Sequence, residues 1–185
     1  MKYDLILSDP PWNILKGGIR AVRPRQSRLL DYPVLSIGEI RDIHRSFQSY
    51  AEENHLFFMW TIDKYLHESE QMMRGLGYKL HARMIWNKLN GVAPAFTLRY
   101  SHEYLLYMYY GKFTPVAVSE RGRYTTVFEE KSGRHSRKPE ISYAIMERLY
   151  PEARKLELFA RYTRPGWDCW GNEIPPATAV KMPTF

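Results

Sequence analysis

Tyr3-Asp4-Leu5-Ile6-Leu7-Ser8-Asp9-Pro10-Pro11-Trp12 is the stretch that decides the reading of this chain. Its first part, Tyr3 to Leu7, is an apolar run with the length of a short buried strand. Its second part sets an acid, two rigid prolines and a large flat ring where the strand ends and a loop begins. In open α/β sheets that is the position where ligands bind. The cluster suits a narrow chemistry. An exocyclic amine on a nucleobase is a poor nucleophile, because its lone pair is delocalised into the ring. A carboxylate and a backbone carbonyl can each accept one N–H of that amine, which localises the lone pair and orients it. Prolines lack N–H groups and hold φ fixed, so the loop keeps its carbonyls aimed. A Trp face stacked on the base would add about 1–3 kcal/mol. The plain alternative is a Pro-Pro turn with Trp12 packed in the core.

Working outward, 185 residues are expected to form one domain, with a basic loop over about 13–35 and a loose tail over 174–185. The net charge of +7 points to a polyanionic partner, and with 14 Tyr, 8 Phe and 5 Trp the leading candidate is nucleic acid. No apolar run approaches the ~18 residues of a membrane span, so no membrane partner is expected. Met1-Lys2-Tyr3 runs straight into a strand, with no sign of a secretory leader. The single cysteine, Cys169, excludes a disulfide within the chain and a Cys-based zinc site, and fits a cytoplasmic setting.

Strands are expected at 3–8, 55–60, 78–86, 103–110, 124–128, 156–159 and 167–170. Helices are expected at about 36–50, opened by a Ser36/Glu39 capping box, at about 64–75, ended by Gly75 and Gly77, and from Pro139 onward. Strands alternating with helices predict an α/β fold, a mostly parallel sheet covered on both faces. His102-Glu103 lacks the second His that a zinc-protease helix needs, since position 106 is Leu, and no Gly-rich phosphate loop is present. No metal site is expected.

Other candidates carry a functional and a plain reading each. Glu157, in the apolar strand Leu156-Glu157-Leu158-Phe159, could accept ribose hydroxyls, and Arg161 could clamp a carboxylate. The plain reading is a surface Glu on an edge strand, paired with Arg161 or Lys155. Lys138 stands before a helix N-terminus, where a cation opposes the macrodipole, so a role beyond capping is expected. Gly171-Asn172-Glu173 is a turn or a cofactor patch. Lys16, Arg20, Arg23, Arg25 and Arg28 are a strap over a nucleic-acid backbone or a solvated run.

The chain resembles the MT-A-type adenine-N6 methyltransferases: the messenger-RNA adenosine methyltransferase catalytic subunit and its bacterial and phage relatives. Ser8-Asp9-Pro10-Pro11-Trp12 is one half of the match. The other half is Arg137-Lys138-Pro139-Glu140, Glu147-Arg148-Leu149, Arg154-Lys155-Leu156-Glu157-Leu158-Phe159-Ala160-Arg161, Trp167 and Gly171-Asn172-Glu173. The resemblance runs from about Tyr3 to Glu173. It implies a Rossmann-like methyltransferase fold with permuted motif order and S-adenosylmethionine (SAM) as cofactor. It implies Asp9, Pro10, Pro11 and Trp12 as the catalytic loop, with Asp9 also near the cofactor's methionine end. Lys138, Glu157, Phe159, Arg161, Asn172 and Glu173 would hold the cofactor, and Glu103 would border the substrate pocket. The substrate implied is adenine in nucleic acid, DNA favoured over RNA, and the partner a second copy or a related subunit. Tyr32-Pro33 departs from the family's usual step after this loop, which bears on the substrate more than on the chemistry. A non-catalytic nucleic-acid-binding subunit is the competing reading, since relatives include inactive partners; those degrade the motif that stands whole here.

Overall fold

The computed structural model describes residues 2–13, 34–89, 98, 100–133 and 137–181. The basic segment with Lys16, Arg20, Arg23, Arg25 and Arg28 lies outside the described residues.

The elements in chain order are β1 (Tyr3–Ser8), α1 (Ile37–Phe47), β2 (Ala51–Thr61), α2 (Leu66–Gly75), β3 (Lys79–Asn87), β4 (His102–Tyr110), β5 (Val127–Glu129), α3 (Glu140–Leu149), β6 (Lys155–Leu158) and β7 (Trp167–Trp170). The strands make one sheet in the order β5-β3-β4-β2-β1-β6-β7. β1 pairs in parallel with β2 and β6, β6 with β7, and β3 with β5. β4 runs antiparallel to both of its neighbours, so the sheet is mixed but mostly parallel.

Helices cover both faces. On one, Ile40 and Phe47 of α1 and Met72 and Met73 of α2 pack on Ile6, Phe57, Met59 and Leu156. On the other, Tyr143, Ile145, Met146 and Leu149 of α3 pack on Leu5, Leu7, Phe58 and Trp60. A strand buried on both faces needs apolar side chains at successive positions, which is why Leu56 to Trp60 reads as an unbroken apolar run.

The caps follow the sequence signals closely. Ser36 and Glu39 form the full reciprocal capping box ahead of α1. After α2 the chain turns at Gly77, whose φ of +92° suits glycine, and the Tyr78 N–H donates to the Met73 carbonyl at 3.0 Å. Pro139 differs by one place: it is the N-cap, and α3 begins at Glu140. The orphan N–H groups of Glu140 and Ile141 donate to the two Glu130 carboxylate oxygens, each at 2.9 Å, so this helix borrows its cap from a preceding loop.

The tail is not loose at its start. The Val180 N–H donates to the Cys169 carbonyl at 2.8 Å, and Ile174 is buried against Ala160 and Cys169. The stretch through Val180 pairs with Cys169 at the outer edge of β7, an edge that would otherwise expose unpaired backbone. No helix among the described residues is long and apolar enough to cross a membrane.

β1 leads to β2 on one side, and the chain returns to β6 on the other. The crevice past the carboxyl ends of β1 and β6 is therefore a topological switch point, where open α/β sheets bind ligands.

Candidate active site

Asp9 stands at that crevice. Its N–H donates to the Leu158 carbonyl at 3.3 Å, which ties the end of β1 to the end of β6. Beneath it, Ser8 Oγ lies 2.8 Å from His44 Nε2 on α1, and burial holds that imidazole neutral, its pKa down to about 3. The Leu35 N–H donates to the Pro11 carbonyl at 3.1 Å, so the residues on either side of the segment 14–33 meet at the loop.

Around Asp9 the structure gathers charges from three more elements. Lys138 Nζ, just before α3, sits 2.9 Å from Asp9 Oδ1 and 2.9 Å from Glu103 Oε2 on β4. Lys88, just past β3, pairs with the other Glu103 oxygen. The Lys138 ammonium also lies 5.4 Å from the Trp60 ring centroid. Side chains here are mostly out of water, 22% exposed for Asp9 and 11% for Lys138, so the charges interact strongly. Burial pushes the Asp9 carboxyl above its ordinary range; Lys138 opposes that shift without reversing it, and Glu103 adds to it. Burial acts on Glu103 in the same sense, but Lys138 and Lys88 outweigh it and hold that carboxyl below its usual range. Burial would lower Lys138; Asp9 and Glu103 reverse that and hold it protonated.

Two details of the loop differ from the expectation. Trp12 is only 5% exposed: its ring stacks on Tyr65 with centroids 5.1 Å apart, and its indole N–H donates to the Trp60 carbonyl at 3.1 Å. A ring so covered offers no open face to a base, and packing describes its place. The Pro10 carbonyl is not free either, since it accepts the Trp12 N–H at 2.9 Å; one lone pair is left for another donor.

The second group lies along β6 and β7. Glu157 is not on an edge strand, because β6 runs between β1 and β7. It is 8% exposed and accepts the Tyr143 hydroxyl at 2.8 Å, while Lys155 donates to the Pro151 and Ala153 carbonyls. Burial pushes its carboxyl up to about 7, against the Tyr143 hydrogen bond. It borders a cleft of about 190 Å³ that Arg137, Tyr162 and Arg164 also line. Phe159 turns the chain after β6 with φ +62°, a conformation costly for a side chain with a Cβ and often found at binding sites. Gly171 is required by contact: a Cβ there would stand 2.1 Å from the Ala160 carbonyl oxygen. Asn172 and Glu173 are exposed on the turn after β7, and Glu173 lies 3.7 Å from Arg161.

The structure thus brings Asp9, Lys138 and Glu103 together; Glu157 and Arg161 are near enough to interact electrostatically with Asp9, while Phe159 follows β6 and Asn172 and Glu173 lie on the turn after β7. Sequence reasoning missed His44, Trp60, Lys88 and Tyr143. Two carried a signal, since His44 and Tyr143 fall on the apolar faces of α1 and α3. Lys88 carried none, because its contact depends on the register of β3 against β4.

A mixed seven-stranded sheet with an acid-Pro-Pro-Trp loop at its switch point defines a Rossmann-like methyltransferase. The profile of the MT-A70 family matches residues 3–173, and the chain belongs to that family. It is similar to the Type II methyltransferase M.MunI of Mycoplasma sp, 27% identical over a 200-position alignment that covers 99% of this chain and 82% of that one. It is 29% identical to a putative N(6)-adenosine-methyltransferase MT-A70-like of Medicago truncatula, over 94% of this chain and 26% of that protein. Against the human N(6)-adenosine-methyltransferase catalytic subunit METTL3 it is 24% identical, over 94% of this chain and 28% of that one.

Proposed function

We propose that the chain transfers a methyl group from SAM to the exocyclic N6 amine of adenine in DNA. It is an adenine-N6 methyltransferase, and the observation that carries the reading of its site is the Asp9–Lys138 pair at the switch point. An ionised Asp9 accepts one N–H of the target amine. The remaining lone pair of the Pro10 carbonyl accepts the other. The nitrogen lone pair is then drawn out of conjugation and oriented, so the protein contributes position and polarisation. Lys138 favours the charged form of Asp9 against its burial, and Trp12 holds the loop through Tyr65 and Trp60.

The residues present fit the cofactor. Glu157 has one hydroxyl donor on a two-oxygen group, which leaves acceptor capacity for a diol in the adjoining cleft. Phe159, Arg161, Asn172 and Glu173 would complete that side, with Asp9 and Lys138 toward the methionyl end. When bound, SAM supplies a methyl on a positively charged sulfur, an intrinsically good leaving group. In duplex DNA the target base must leave the stack.

DNA is favoured because a relative matched over 82% of its own length is named a Type II methyltransferase. RNA is the second reading, favoured by relatives named for adenosine. Lys16, Arg20, Arg23, Arg25 and Arg28 are proposed to contact phosphates; neutralising all five should flatten the salt dependence of binding by about two to three counterions. The resemblance also implies a dimer, with itself or a related subunit, which light scattering tests. The function itself is tested by incubating the protein with labelled SAM and matched DNA and RNA pools, then digesting to nucleosides. Label in N6-methyldeoxyadenosine is expected. Label on another base, or none in either pool, would contradict the proposal.

A further inference from the structure

Lys88 belongs to none of the motifs. Its backbone is fixed just past β3, its N–H donating to the Ser101 carbonyl at 2.9 Å, and its ammonium lies 5.1 Å from the Trp86 ring centroid. From there it reaches Glu103, and both side chains are mostly out of water, 13% and 12% exposed. Asp9, Lys138, Glu103 and Lys88 therefore form a line of alternating charge, with Lys138 shared at 2.9 Å by both acids. Without Lys88, one ammonium would face two partly desolvated carboxylates. A cation cannot satisfy two such anions equally well, and a buried charge that loses its partner is costly. Glu103, left with Lys138 alone, would draw that ammonium away from Asp9.

We propose that Lys88 is a positioning residue: by neutralising Glu103 it leaves the Lys138 ammonium to Asp9, favouring the carboxylate form and holding it aimed at the substrate amine. The inference rests on the reading of Asp9 given above. The groups that face Asp9 are Lys138 and Glu103, then Arg161, with Glu157 and Tyr143 coupled to it from β6 and α3. Those that face Glu103 are Lys138 and Lys88. Lys88 is thus the one member of the line that acts on Asp9 through its neighbours.

The test follows the Asp9 carboxyl carbon by NMR during a pH titration of the whole chain labelled in its aspartates, the signal assigned by its loss in Asp9→Asn. Lys88→Gln should move the Asp9 midpoint up by about half to one pH unit, the scale of one nearby charge at a partly buried site. Lys88→Arg should return it. In a Glu103→Gln background, Lys88→Gln should add no further shift. An unmoved midpoint in Lys88→Gln would overturn the proposal, and so would an equal shift in both backgrounds, since Lys88 would then act without Glu103. If Lys88→Gln does not fold, the double variant decides. Its folding would support the proposal, because the stranded Glu103 charge was then the fault; its failure would make Lys88 structural and overturn it. Methyl transfer by Asp9→Asn is assayed separately: turnover there sinks the reading of Asp9, whereas lost turnover with an unmoved midpoint sinks only Lys88.

Discussion

Asp9 and Glu157 lie near the ends of adjacent parallel strands, and burial pushes both carboxyls up. What faces them differs. Asp9 meets an ammonium at 2.9 Å that is itself braced by Glu103 and Lys88. Glu157 meets a phenol, and its carboxyl is left at about 7. The β1 side of the crevice is therefore a charge-balanced network, already provided with a cation that opposes the burial of its acid. The β6–β7 side is a half-neutral acid beside an open cleft, waiting for donors. Two acids a few residues from one another in the sheet are pushed apart in character by their neighbours, and that separation assigns the roles.

The comparison can be broken most forcefully at Trp12. As the anchor of the Asp9 loop, Trp12→Ala should cost about 3–5 kcal/mol in denaturant unfolding, the scale of a large core truncation. An unchanged midpoint would return the ring to the substrate and leave the loop without its support. Next comes Asp9→Asn, which should lower the methyl-transfer rate by about a hundred- to a thousandfold, the scale of one lost transition-state partner. Its thermal midpoint should hardly move, because Lys138 keeps Glu103. A large loss of stability would make Asp9 a structural ion-pair member.

Glu157 offers a pH signature of opposite character. Its folded pKa, about 7, stands above the ordinary 4.5, so the folded state binds this proton more tightly than the unfolded state. That contribution is fully present below about pH 4.5 and is lost as pH rises through about 7. It amounts to about 3 kcal/mol at most, and Glu157→Gln should remove this part of the slope. Identical pH–stability curves for wild type and Glu157→Gln would mean that Glu157 is no less ionised than an exposed acid, and the contrast with Asp9 would vanish. The smallest effect is expected at Tyr143→Phe, about 1 kcal/mol from one lost hydrogen bond, with Glu157 shifted further up.

Much of this was legible in the chain. Among the described residues, β1 to β7 and α1 to α3 followed from apolar runs, caps and glycines, with some ends shifted by a few residues, because β1, β2 and β6 are buried on both faces and so leave little ambiguity. Asp9 and Glu157 could be named because they are polar residues at the end of or within apolar strands, and Lys138 because a cation before a helix N-terminus opposes the macrodipole. The face of Trp12 could not be read: a ring after two prolines suits packing and stacking alike, and only Tyr65, far along the chain, decides it. Glu157 looked like an edge-strand residue because strand order is not written locally. β7 and the stretch through Val180 lie outside it. The Lys88–Glu103 contact was hidden for the same reason, since it depends on how β3 registers against β4.

The separation of roles between the two acids is tested most directly by measuring SAM affinity by calorimetry and single-turnover methyl transfer together, for Asp9→Asn and Glu157→Gln at one pH above 7. Asp9→Asn should lose transfer by at least about a hundredfold while weakening SAM less than Glu157→Gln does. Glu157→Gln should lose SAM affinity and recover most of its transfer rate at saturating SAM. Transfer by Asp9→Asn at the wild-type rate, or SAM affinity untouched in Glu157→Gln, would contradict the assignment.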